Sequence, residues 1–200
     1  MRVLILYPSS FKCQSKFDRK VSTILSQLSR FSVVCLDDPQ GYIETLLGKD
    51  PRVSSIDKIQ NICESAATHA VMFDDGEEFS EQKAWILQQQ IPFREIPIKI
   101  TRVINIDKQT EFAGIKSTSD YEYIGRGSYW GNPHSMYEAG ETREEVIRKF
   151  KYDFDYDKFI KIDVSRVHEL AGKRLGCFCK PKACHGDVLA DFLNSYDDGS

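Results

Sequence analysis

The sequence predicts an α/β fold: a Rossmann-like parallel sheet with flanking helices, followed by a smaller α/β part. Three observations predict it. Short apolar runs alternate with stretches of helical period through the first half, and the runs end in Pro, Ser, Asp or Gly. The second half breaks that alternation and carries its own strand and helix signals around a cluster of cysteines.

The elements follow in order. Arg2-Val3-Leu4-Ile5-Leu6-Tyr7, stopped by Pro8-Ser9-Ser10, reads as a strand buried on both faces. Residues 18–28 place Val21, Ile24, Leu25 and Leu28 at helical spacing. Residues 32–36 form a second strand, closed by Asp37-Asp38-Pro39. Ser54-x-x-Asp57 resembles a capping box and predicts a helix with Ile56, Ile59, Ile62 and Cys63 on one face. Residues 70–73 are a third strand ending in Asp74-Asp75-Gly76, Ser80 caps a helix running to about Gln90, and residues 96–106 are extended and β-branched. Polar, turn-rich segments between 105 and 120 divide a nucleotide-binding-type domain (1–110) from a Cys/His domain (111–200). In the latter, Thr142-x-x-Glu145 is a capping box ahead of the stripe Val146, Ile147, Phe150, Phe154. Residues 152–157 read as an acidic turn, 175–179 as a strand, and Asp187 as the N-cap of a last helix. The final Asp197-Asp198-Gly199-Ser200 is expected to fray.

Composition narrows the functions. Of 200 residues 41% are hydrophobic, enough for a packed core, and 27 Lys+Arg against 30 Asp+Glu leave a net charge of −3. The basic footprint of a duplex nucleic-acid binder is missing. No apolar run approaches the ~18 residues of a membrane span, and no cleavage site follows the first strand. A cytoplasmic protein is expected, and in that reducing setting clustered thiols bind metal or do chemistry. Cys13, Cys35 and Cys63 are scattered; Cys177, Cys179 and Cys184 crowd together, with His185 next.

Parallel sheets bind ligands beyond the carboxyl ends of their strands. Ser9-Ser10, Asp37-Asp38, Asp74 to Glu77 and Glu81 fall there. The Gly-x-Gly-x-x-Gly and Gly-Lys-Ser/Thr fingerprints are absent. Ser9 and Ser10 either donate to a phosphate or serve as plain turn chemistry. The run from Asp74 through Gly76 to Glu81 and Ala84, with Ile91-Pro92 beyond, resembles the nucleoside deoxyribosyltransferase and lysine-decarboxylase-like Rossmannoid nucleotide binders. The resemblance implies that Glu81 works at the sugar of a nucleoside or nucleotide, with Asp75 and Gly76 at a ligand. Gln90 stands where that pattern has glycine, and the first loop also lacks one. A first-turn acid favoured by the helix dipole is the plainer account of Glu81.

The second half offers Arg126 as a planar fork for phosphate, Trp130 as a stacking face, Asn132, and Arg143 in a helical first turn that disfavours a cation. A buried turn with Trp130 in the core is the alternative. Cys184 and His185 sit at the positive end of the last helix, which lowers a thiol's pKa. Tyr123-Ile-Gly-Arg126, Trp130-Gly-Asn-Pro133 and Cys177-x-Cys-Lys-Pro-x-x-Cys-His-Gly-Asp187 together resemble a phage and bacterial domain family of unknown function, covering about residues 121–195. His134 departs from it, since an apolar residue is expected there.

Two readings of the cluster stay open. Cys177, Cys179, Cys184 and His185 form a valid zinc set, although adjacent Cys184 and His185 are not expected to reach one ion easily. Alternatively, Cys184, His185 and Asp187 join Glu81 in catalysis. The expected protein is an enzyme acting on a nucleotide, nucleoside or nucleotide-sugar at an N-glycosidic bond, with no certain cofactor. The alternative is a non-catalytic module that senses a nucleotide or binds nucleic acid or a host protein, stabilised by zinc.

Overall fold

The computed structural model describes residues 1–136 and 140–199. By contact the chain divides into two compact units, Met1–Ile98 with Ser195–Ser200, and Lys99–Asn194.

The first unit is a five-stranded parallel sheet. Its elements are β1 (Arg2–Leu6), α1 (Gln14–Leu25), β2 (Phe31–Cys35), α2 (Tyr42–Leu47), β3 (Val53–Lys58), β4 (His69–Asp74), α3 (Ser80–Gln88) and β5 (Phe93–Pro97). The strand order is β3-β2-β1-β4-β5, all parallel, as the expected Rossmann-like class requires. Central β1 is buried on both faces. Leu4 and Leu6 pack with Val34, Met72 and Ile86 on one side. Elsewhere in the unit Tyr7 stacks on Tyr42, Phe73 stacks on Phe11 and Phe17, and Tyr7 meets Phe17 edge-on. α1 follows from its sequence: Phe17, Val21 and Leu25, four residues apart, are its buried stripe.

Residues 54–63 are not the expected helix. Val53 and Ile56 sit opposite Phe31 and Val33 as an edge strand, and Ser54 Oγ donates to the carbonyl of Phe31 (3.1 Å) instead of capping. Only a short 3-10 turn, Ile62–Glu64, remains helical. The unpaired ladder of β2 was open to a partner, and its hydrogen bonds outweighed a capping-box pattern. Ser80 begins α3 without a side-chain cap.

The helix ends as the family resemblance suggested, but without its glycine. Gln90 takes φ +54°, its N–H reaches the carbonyl of Leu87 (3.0 Å), and Ile91 N–H reaches that of Ile86 (3.1 Å). This is a Schellman motif with glutamine in the left-handed position.

The end of the chain does not fray. Asp197 accepts from Ser15 Oγ (2.6 Å) and from both Arg19 amines (2.9 Å), and Asp198 accepts from the Nζ of buried Lys16 (2.8 Å). Ser200 lies outside the described residues.

The second unit contains β6 (Arg102–Asn105), β7 (Tyr121–Tyr123), α4 (Arg143–Asp155), β8 (Arg174–Cys177) and α5 (His185–Ser195, whose last residue belongs to the first unit). Its sheet runs β6-β8-β7, again parallel. Because β6 pairs with β8, the extended stretch 96–106 is split, and residues 99–110 belong to this unit rather than to the first. The expected acidic turn at 152–157 is for the most part the last turn of α4, where Phe154 continues the buried stripe Val146, Phe150. The capping box of Thr142 and Glu145 is present as read. Trp130, Phe150, Phe154, Leu175, Leu189 and Leu193 form the core.

Candidate functional site

β8 delivers Cys177 at its carboxyl end, and the turn of residues 178–183 returns the chain so that α5 starts at His185. The helix therefore begins two residues before its expected cap. Asp187 still satisfies its start, accepting from the N–H of Cys184 (2.9 Å) while Lys180 holds its other oxygen (2.6 Å). Gly186 permits the close approach that follows: a Cβ there would lie 2.4 Å from Ile124 Cδ1.

These constraints bring the thiols and the imidazole together. Cys177, Cys184 and His185 are buried, and one ligand atom from each lies within 4.8 Å of the others. Cys179 Sγ is 3.5 Å from Cys177 Sγ. His185 Nε2 lies 2.9 Å from the carbonyl of Ile124, which fixes Nε2 as donor and leaves the Nδ1 lone pair toward Cys184 Sγ at 3.6 Å. The neighbours Cys184 and His185 do face one point, against expectation, one just ahead of α5 and the other its first residue.

The cluster is electrically poised. The Cys177 thiol is lowered to about 5, chiefly by a hydrogen bond from Cys184. The same bond, with burial, pushes the Cys184 thiol far up, so the lowered thiol is Cys177 and not, as the sequence led one to expect, Cys184 at the start of α5. Burial raises Cys179, and burial lowers His185 so that its ring stays neutral. One thiolate beside a neutral imidazole can act as nucleophile, and with further deprotonation the same atoms are a soft ligand set.

A cleft of about 110 Å³ opens over the cluster, and Arg126, Asn132, His134 and Arg143 are among the residues lining it. Arg143 reaches the carbonyl of Ala183 (3.2 Å) and hydrogen-bonds Cys179, which answers the local conflict of a cation in a first turn. Arg126 donates to buried Ser135 (3.1 Å), and Asn132 braces its loop through Val146 O and His134 N–H. Trp130, expected as a stacking face, is only 3% exposed and belongs to the core.

A wider cleft of about 570 Å³ shares Arg126, Asn132 and His134 with the first. Here His134 Nε2 bonds Asp153 Oδ2 at 2.8 Å. His134 was marked in the sequence only as a departure from a pattern; Asp153 was hidden in what read as an acidic turn, and Lys158 and Lys161 just beyond it gave no signal.

The remaining predicted residues lie in the first unit, at the carboxyl ends of the adjacent strands β1 and β4. Ser9 is exposed and Ser10 half-buried. Asp75 Oδ1 accepts from the N–H groups of Glu77 and Glu78, and Gly76, at φ +81°, turns the chain. Glu81 is exposed in the first turn of α3. This is turn and cap geometry.

Comparison with known proteins adds the following. Residues 1–104 match the model of the minimal SLOG domain, and residues 105–195 match a domain of unknown function, DUF4326. An uncharacterized 12.4 kDa protein of Enterobacteria phage T4, from the nrdA-td intergenic region, is 44% identical over 81 residues, 40% of this chain and 73% of that protein. No solved structure matches.

Proposed function

Since this chain belongs to the minimal SLOG domain family, a nucleotide-related Rossmannoid fold, we propose that it is an enzyme acting on a nucleotide, nucleoside or nucleotide-sugar at its N-glycosidic bond. One observation carries the proposal: three thiols and a neutral imidazole converge under a cleft that two arginines line. Arg126 and Arg143 hold the anionic part of the substrate, and the Cys177 thiolate, hydrogen-bonded by Cys184 and beside His185, meets its reacting end. Asp187 keeps the start of α5 in place. In the first unit, taken by itself, Glu81 and Asp75 serve the sugar of a nucleoside or nucleotide, a role that rests on the resemblance alone. The substrate is a small molecule. Nucleic acid is not favoured by the net charge, and among the described residues no helix is long and apolar enough to cross a membrane.

A second reading is favoured by the fixed tautomer of His185. Ligating histidines characteristically give their other ring N–H to a carbonyl, as His185 does to Ile124. Cys177, Cys184 and His185, with Cys179 beside them, fit zinc, which would polarise a bound group or brace the turn between β8 and α5.

Metal content of protein purified without tag or chelator, with a free-thiol count, separates the two. About one zinc per chain with the clustered thiols protected supports the metal reading. No metal and one fast-reacting thiol supports thiol chemistry. In a screen of nucleotide substrates, Glu81→Gln and His185→Ala are each expected to lower turnover by at least about a hundredfold. Undiminished turnover in both variants overturns the assignment.

A further inference from the structure

The wide cleft of the second unit is positive on a chain that is negative. Three cations line it, Arg126, Lys158 and Lys161, against one carboxylate, Asp153, which is already engaged by His134. The whole chain has the opposite balance, 27 basic to 30 acidic residues. Lys158 and Lys161 make no ion pair among the described residues, whereas Lys149, Lys151, Lys173 and Lys180 each have one. Two ammonium groups without an ion pair among the described residues leave a positive field along the cleft.

The backbone suits the same ligand. Gly127, at φ +83°, and Gly131 fold the loop back on itself, and a Cβ at Gly131 would lie 2.7 Å from the carbonyl of Gly125. The loop therefore brings its peptide edges and Ser128 to the wall of the cleft, with Tyr129 beside them. Phe159 and Ile160 give the same cleft an apolar margin; Ile160 is 97% exposed. The thiol cleft has only about a fifth of the wide cleft's volume, so the bulk of a ligand must lie in the wide one.

We propose that this cleft is a diphosphate-binding site: Lys158, Lys161 and Arg126 hold the two phosphates, the apolar margin takes the base or sugar, and only the reacting end passes His134 toward the thiols. The proposal rests on the functional reading above and narrows its substrate class to nucleoside diphosphates and their sugar derivatives.

Calorimetric titration of the full-length protein with inorganic pyrophosphate, AMP, ADP and ADP-ribose tests it. Pyrophosphate and ADP are expected to bind saturably, ADP more tightly than AMP, with affinity falling as salt rises. Lys158→Ala/Lys161→Ala should weaken ADP at least tenfold. Lys49→Ala/Lys108→Ala, exposed lysines that do not line the cleft, should not. Both lysines of the first pair are exposed, and an unchanged thermal melt certifies the fold. If ADP binds equally well to wild type and the Lys158/Lys161 variant, the diphosphate site is wrong while the nucleotide reading stands. If pyrophosphate binds through these lysines and no nucleotide does, the site stands and the nucleotide reading falls. If nothing binds, both fall.

Discussion

Gln90 shows how far one residue's backbone can be read and where that reading stops. The Rossmannoid pattern calls for glycine before Ile91-Pro92, and the chain adopts the glycine conformation there with a side chain that resists it. A left-handed L-residue costs about 1–2 kcal/mol, partly offset by the chain entropy a glycine would lose. Gln90→Gly is therefore expected to stabilise the first unit by about 0.5–1 kcal/mol, read as a higher urea midpoint with unchanged slope. The cysteine cluster was legible in the same way: the motif named Cys177, Cys179, Cys184 and His185, but not that His185 would lend its Nε2 to Ile124, 61 positions away. Trp130 was ambiguous because a buried turn and a ligand platform use the same residue types. His134 and Asp153 were invisible as a pair, since only the fold brings a loop residue and a helical one within 2.8 Å.

At the scale of elements, parallel strands and amphipathic helices followed their periods, and errors came where partners compete. Residues 53–58 carry a helix-start signal and strand-compatible residues together; the open edge of β2 decided between them. The junction of β4, α3 and β5 shows the same dependence on partners. Asp74 is buried, which raises its pKa, yet Lys83 (2.8 Å) and the N–H of Gly76 (2.8 Å) outweigh burial and hold it below its ordinary range. Lys83 also reaches Glu95 of β5 at 2.8 Å. A lowered carboxylate stabilises the fold above its unfolded pKa of about 3.9, and loses that contribution as pH falls through the folded value. Asp74→Asn should cost about 1–2 kcal/mol at pH 7, a figure reduced for the solvent reaching Lys83, and the gap from wild type should close below about pH 4. A gap independent of pH in denaturation curves taken from pH 3 to 7 would show that packing, not charge, sets the cost.

At the scale of the molecule, contact sets the border of the two units at Ile98 and Lys99, a place the sequence does not mark because a strand carries no sign of the sheet it will join. What closes the second unit is Asn194. Its Oδ1 accepts from Thr101 N–H (2.8 Å) and its Nδ2 donates to Thr101 O (3.0 Å), clasping the unit's third residue to its last. A segment so closed should fold by itself. Residues 99–195 expressed alone are expected to melt in one cooperative transition, and Asn194→Ala, which strands two buried peptide groups, should lower its stability by about 2–3 kcal/mol. A fragment without a cooperative melt would refute this. The first unit is the opposite case, interrupted rather than closed, with Ser15 and Asp197 joined across 182 positions. On a ribosome adding about 5–20 residues each second, α1 emerges roughly ten to forty seconds before the carboxylates that will neutralise Lys16 and Arg19. The first unit therefore cannot complete these ion pairs until the whole inserted unit has been made.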